Sequence, residues 1–289
     1  MPTFDHSDPV RVNAKIHAGR LLLVGSETAV VTVEVEPRDP ARDADVRAAA
    51  DARVELTGDA LTVKTSRQGF GWSRSGAVSV RIEVPARSQL DVQMEVGDVA
   101  TEGAFGDATV KSGAGTIGLG EVGKLKVISG AGDIAVRRAG GDVLAVTGSG
   151  AVRIDEAGGD IIIKNGNGAT TLGTVAGAVK ISAANGDVAI ARADRSVSAK
   201  TANGAIRVGS VASGDVDLKT AFGTVEIGIA HGTAAKLDVK TTFGLLRQEL
   251  DPTSTPPSSV KTATVKARTS HGDITIHRAA EPEPKAAAA

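Results

Sequence analysis

The sequence predicts an all-β chain: a parallel β-solenoid with coils of about 18 residues, two strand-turn units of about nine residues per coil, preceded by an N-terminal β-sheet region with one short helix. Three observations carry this reading. Glycines recur at a fixed spacing, apolar residues alternate with period two between them, and large rings are scarce. Gly97, Gly115, Gly132, Gly150, Gly168, Gly186, Gly204 and Gly223 follow one another at intervals of 17 to 19 residues. A second series, Gly106, Gly123, Gly141, Gly159, Gly177 and Gly214, falls between them, with Arg195 in the place of one member. Self-similarity at such a period means one supersecondary unit stacked upon itself.

Aligning the coils on the main glycine shows which side chains point inward. Two residues after it stand Ile117, Ile134, Val152, Thr170, Val188, Ile206 and Val225, and four after it Leu119, Val136, Ile154, Leu172, Ile190, Val208 and Ile227. Seven and five residues before it come pairs such as Leu125/Val127 and Ile161/Ile163. Lys126, Arg153, Lys180 and Arg207 alternate with these columns, so each strand shows one face to the core and one to water. The connections are too short for crossover helices. Parallel pairing must therefore come from coiling, with coils about 4.7 Å apart.

Asn167, Asn185 and Asn203 directly precede the main glycine and are expected to stack as a structural ladder of buried amides. Three residues before it, Ser112, Ser129, Thr147, Thr201, Thr220 and Thr241 form a hydroxyl column. Residues 1–95 do not keep the repeat. Strands are expected at 10–16, 20–24, 30–35, 61–64 and 78–84, and a helix over 38–53, where Ala and Arg favour helix and Asp39-Pro40 suits a helix start. This region reads as a sheet that caps the first coil and is continuous with it. The solenoid spans 96–278 with a Pro/Ser-rich loop insertion at 248–262; residues 268–276 return to the motif as a final coil, and 279–289 read as a disordered tail.

Composition narrows the function classes. The chain has 289 residues, 35 of them Gly, with five Phe, one Trp, no Tyr and no Cys, which excludes disulfides, thiolate nucleophiles and cysteine-ligated metals. Lys and Arg number 33 against 34 Asp and Glu, so no nucleic-acid partner is expected. There is no visible signal peptide and no apolar stretch long enough for a transmembrane segment, and a cytoplasmic protein is expected.

The repeats SGAGDIAV at 129–136, AANGDVAI at 183–190 and TANGAIRV at 201–208, with PRDPARDADVRAAADARVEL at 37–56, resemble the bacterial toast-rack-like family of β-strand-repeat proteins, candidate adhesins of unknown function. The resemblance covers nearly the whole chain. It implies the solenoid architecture and a place at or outside the membrane for many members, and it carries no catalytic residues.

Several motifs look chemical. GAGTIG at 113–118 satisfies the dinucleotide pattern, but no helix follows and the same glycines recur in every coil, so it reads as a repeat turn and no cofactor is expected. Gly140-Gly-Asp142 and Gly158-Gly-Asp160 suggest calcium-binding nonapeptides. The residue after the main glycine runs Asp133, Ala151, Ala169, Asp187, Ala205, which isolates the carboxylates and argues against a metal. Among the five histidines, His271 and His277 flank Asp273 without a third ligand. Lys200, Lys219, Lys240 and Arg268 share an outward column, with Asp217 and Asp238 beside them to neutralise it. Phe70 and Trp72, in a Gly/Ser/Arg loop, are either a partner contact or a lid over the solenoid's open end.

No catalytic, cofactor-binding or metal residue is expected. The chain reads as a non-enzymatic scaffold or interaction protein that binds an unidentified protein or cell-envelope component. The alternative is a structural protein that self-associates into filaments where an end is left uncapped. A carbohydrate-active β-helix enzyme is the third reading, and Asp155/Glu156 is the only adjacent acid pair within the repeats that would serve it.

Overall fold

The computed structural model describes residues 2–65, 76–250 and 261–280, and among them finds 25 strands and a single helix. Phe70 and Trp72, most of the loop insertion and the last nine residues of the tail lie outside the described residues. The chain divides into two compact units, residues 1–168 and 169–289. Each is a parallel solenoid with two strand faces per coil.

In the first unit, β2 (Arg11–Ser26) is a complete coil in one strand. It pairs in parallel with β7 (Gln89–Glu102) from Arg11 opposite Gln89 through Gly19 opposite Gly97. Regular coils follow: β8 (Ala108–Ala114) with β9 (Ile117–Val122), β10 (Leu125–Ala131) with β11 (Ile134–Ala139), and β12 (Val143–Ser149) with β13 (Val152–Ala157). β14 (Ile161–Asn167) pairs in parallel with β12. The inward columns are buried throughout: Val127, Ala145 and Ile163 are inaccessible to solvent.

The repeat thus begins earlier in the chain than the glycine series from Gly97 predicts. Gly19 is the first main glycine, followed by Leu21 and Leu23 at the inward positions, and its φ of 134° matches the 129° of Gly115. A side chain there would collide with backbone. A Cβ on Gly132 would stand 2.1 Å from the carbonyl oxygen of Gly115, which is why the column admits only glycine.

The segment between β2 and β7 closes this end. β5 (Ala60–Lys64) and β6 (Val78–Pro85) both pair in parallel with β2 and so form a coil outside it, although they come later in sequence. Antiparallel strands then cover that coil: β4 (Arg53–Thr57) on β5, β3 (Val30–Pro37) on β6, and β1 (Thr3–Asp5) on β3. β1 and β4 have no counterpart in the sequence reading. The helix, α1 (Asp43–Ala50), is shorter than 38–53. Asp39 and Pro40 make a turn instead, in which the Ala41 amide donates to Asp39 Oδ1 at 3.0 Å. The buried Asp45 carboxylate ties the helix down by accepting the amides of Asp39 and Ala77, at 3.1 and 3.0 Å.

The second unit stacks β16 (Val179–Asn185), β18 (Val197–Asn203) and β20 (Gly214–Phe222) on one face, and β15 (Thr170–Val175), β17 (Val188–Ala193), β19 (Ile206–Val211) and β21 (Val225–Ile229) on the other. Here too the coil order departs from sequence order. β24 (Lys261–His271) pairs with β20 on one side and with β22 (Thr233–Phe243) on the other. β25 (Ile274–Arg278) likewise lies between β21 and β23 (Leu246–Gln248). The last coil in sequence is therefore the last but one in space, a correction to the expectation that residues 268–276 end the stack. Ala279, expected in the tail, is buried and donates its amide to Ile229.

Candidate functional site

The turns account for the residues that looked chemical. In the ladder, Asn203 Nδ2 donates to Asn185 Oδ1 at 2.7 Å, and the two residues are in register. Asn167, Asn185 and Asn203 are exposed rather than buried, because the residue before the main glycine points away from the core. The buried polar ladder is the hydroxyl column. Thr201, Thr220, Thr241 and Thr269 each donate to the carbonyl of a main glycine in a neighbouring coil, Thr220 to Gly204 at 2.9 Å and Thr269 to Gly223 at 3.0 Å. Asn165 takes the same place in the first unit and donates to Gly150 and Gly168.

The aspartates after the main glycines cap the following turn. Asp98 Oδ1 accepts the amide of Thr116, Asp133 that of Ala151, Asp187 that of Ala205, and Asp273 that of Leu245, at 2.8 to 3.0 Å. Each of these carboxylates is thus satisfied by a backbone amide one coil on. The glycines of GAGTIG lie in β8, β9 and the turn between them, with no helix beyond. His271 is held between two rings, its centroid 4.9 Å from that of Phe222 and 4.8 Å from that of Phe243. His277 lies 3.2 Å from Glu226. Among the described residues no three His, Asp or Glu side chains converge on a metal position. Asp155 pairs with Arg153 at 2.8 Å and Glu156 with Arg138 at 3.7 Å, so neither acid of that pair stands free.

His17, Glu95 and Ser112 lie on adjacent strands but do not assemble as a Ser–His–acid arrangement. His17 and Glu95 make an outward pair at 2.7 Å across β2 and β7. Ser112, whose buried Oγ has no hydrogen-bond partner among the described residues, points to the opposite side of the sheet.

What the strands do assemble is an outward surface on the first unit. Register places Arg53, Lys64, Lys15, Gln93 and Lys111 in one row across β4, β5, β2, β7 and β8. The row continues as Ile128, Val146 and Lys164 on β10, β12 and β14. The neighbouring row carries Lys126, Leu144 and Ile162 across the same three strands. Ile128 on β10, Leu144 and Val146 on β12 and Ile162 on β14 thus form a staggered aliphatic patch flanked by Lys111, Lys126 and Lys164. Ile162 is 41% exposed although it sits mid-strand. Arg53, Lys64, Lys15, Lys111, Lys126 and Lys164 make no ion pair with another described residue. A groove lined by Arg11, Asp91, Lys124, Leu144 and Ile162 borders the patch. The sequence reading did not single out these four residues; apolar residues at outward positions of β10, β12 and β14 are the signal that could have found them, and register brings them side by side.

The corresponding outward row of the second unit is Lys200, Lys219, Arg268 and Lys240. It is less neutralised than the sequence reading expects: Lys200 stands 3.3 Å from Asp217 and Arg268 2.6 Å from Asp238, while Lys219 and Lys240 have no ion-pair partner among the described residues.

Solved structures of similar fold include candidate adhesins from Bacteroides fragilis and Parabacteroides distasonis, each 11% identical over 95% of both chains with a TM-score of 0.32. A third candidate adhesin, from Parabacteroides merdae, is 10% identical over 96% of this chain and 95% of its own, with a TM-score of 0.31. No curated protein matches the sequence. The Toastrack DUF4097 profile matches residues 23–277, a span that runs from the first complete coil to the last strand, and the chain belongs to that family.

Proposed function

We propose that the protein is a non-enzymatic interaction scaffold of the adhesin type, and that it binds a protein or cell-envelope component through the outward sheet face of its first unit. The observation that supports this most is the aliphatic patch of Ile128, Val146, Leu144 and Ile162 with its free lysines. An exposed aliphatic patch rimmed by charge is the usual anatomy of a contact surface. The rigid, register-locked sheet presents the patch without an ordering cost on binding. No convergent polar constellation favours catalysis among the described residues. Phe70 and Trp72 remain candidates for a second contact in this reading. The test is cross-linked capture from cells that produce the protein, with wild type and with L144D/I162D. Loss of a specific captured species at an unchanged melting temperature supports the proposal, and undiminished capture by the variant overturns it.

A further inference from the structure

We propose that the C-terminal end of the second unit is a self-complementary surface that takes a second copy of this chain, in a closed two-fold dimer built by strand addition. The premise is an uncovered coil. Throughout the stack an inward residue gives its amide to the following coil, as Leu125 does to Asp142, Val143 to Asp160 and Val179 to Ser196. The coil of β22 and β23 has β24 and β25 on one side and, among the described residues, no strand on the other. Its contacts with that side use the other set of backbone groups: the carbonyls of Phe243 and Leu245 accept amides, and Glu249 donates one. Ala235, Leu237, Val239 and Thr241 therefore aim their N–H and C=O groups at the open edge. Their side chains are uncovered as well. Leu237 and Val239 are half-buried, while Val216, Leu218 and Val265 in the same columns are at most 1% exposed. Leu245 and Leu246 are 59% and 49% exposed.

An edge of this kind recruits a strand unless it is blunted, and its own charges name the occupant. Pairing β22 antiparallel with β22 of a second copy about Val239 places Asp238 opposite Lys240 twice, by symmetry, with Val239 against Val239. Val239 lies five residues before Gly244 and Gln248 four residues after it, so both are about equally far from the turn and one two-fold axis can pass through both. About Gln248, Arg247 falls opposite Glu249 twice, and Leu246 opposite Leu250. A one-residue shift to Asp238 would set Asp238 against itself and Lys236 against Lys240, which like charges disfavour. Lys240, Arg247 and Glu249 have no ion-pair partner among the described residues, and Asp238 keeps Oδ1 free of Arg268. The interface is isologous, so it closes at two copies and does not grow into a filament.

The experiment is sedimentation equilibrium on the full chain, from low to about 100 micromolar, with circular dichroism melts as folding controls. The wild type is expected to dimerise. R247E, which sets a carboxylate against Glu249 of the second copy, should weaken the dimer about ten-fold, and R247E/E249R should restore it. Both positions are exposed and outward, so neither variant should alter folding. A monomeric wild type, an R247E protein that dimerises as well as wild type, failure of the double swap to restore association, or growth beyond dimer would each overturn the proposal.

Discussion

The outermost coils of the two units solve one problem in opposite ways. In the first unit the outermost coil, β5 with β6, is covered by antiparallel strands and a helix pinned through Asp45. In the second unit the outermost coil, β22 with β23, carries the same inward columns and has nothing over it among the described residues. Leu61 of β5, in register with Val12, and Leu237 of β22, in register with Val265, hold equivalent inward positions, yet Leu61 is inaccessible and Leu237 half-buried. Equal sequence signals therefore reach unequal burial. What differs is whether the chain spends residues on a cover.

The largest expected effect tests that contrast directly. Leu61→Ala should destabilise the first unit by about 2–5 kcal/mol through lost burial and a cavity, whereas Leu237→Ala should cost about 1 kcal/mol or less in the monomer. Urea unfolding of both variants at low protein concentration measures the difference, and equal losses would mean that the second end is covered after all. Next comes the cover itself. Asp45→Ala leaves the amides of Asp39 and Ala77 without their acceptor and should cost about 1–3 kcal/mol. Hydrogen exchange should then quicken in β3, β6 and α1 before it does in β12.

Inside the second unit the buried and exposed ladders should part company. Thr220→Val removes a buried hydroxyl that holds Gly204 and is expected to lower stability by about 1 kcal/mol. Asn185→Leu removes the side-chain hydrogen bond from Asn203 on the exposed rim and should stay within about 0.5 kcal/mol of wild type. A larger loss at Asn185 than at Thr220, read from melting curves, would restore the amide ladder as the main brace.

The smallest effect is electrostatic and confined to the open end. The hydrogen bond from Arg268 holds the Asp238 carboxyl below its ordinary range, against desolvation that pushes the other way and with help from the charges of Arg268 and Lys266. A carboxyl lowered on folding adds stability above its unfolded pKa and loses it as pH falls through the folded one. Asp238 should thus stay ionised below the pH at which free aspartate protonates, and Arg268→Met should move its NMR titration midpoint back up. An unchanged midpoint would show that the 2.6 Å contact is not held in solution.

Most of the regular stack was legible in the amino-acid order. The glycine spacing located each turn, and the alternation of Val188 with Ala189, or Ile206 with Arg207, assigned inside and outside, because a strand has period two and only glycine tolerates the close approach of successive turns. The candidate surface was only half legible. Ile128, Leu144, Val146 and Ile162 stood in outward positions, but their adjacency depends on a register shared by three coils.

The sequence by itself determined the coil length, the inward columns and the turn glycines, since each follows from contacts between residues one repeat apart. Only the tertiary structure decided the order of coils at the two ends: β2 inside β5 and β6, and β24 with β25 inside β22 and β23. Every coil offers the same aliphatic columns and the same parallel edge, so local pattern cannot say which neighbour a coil takes.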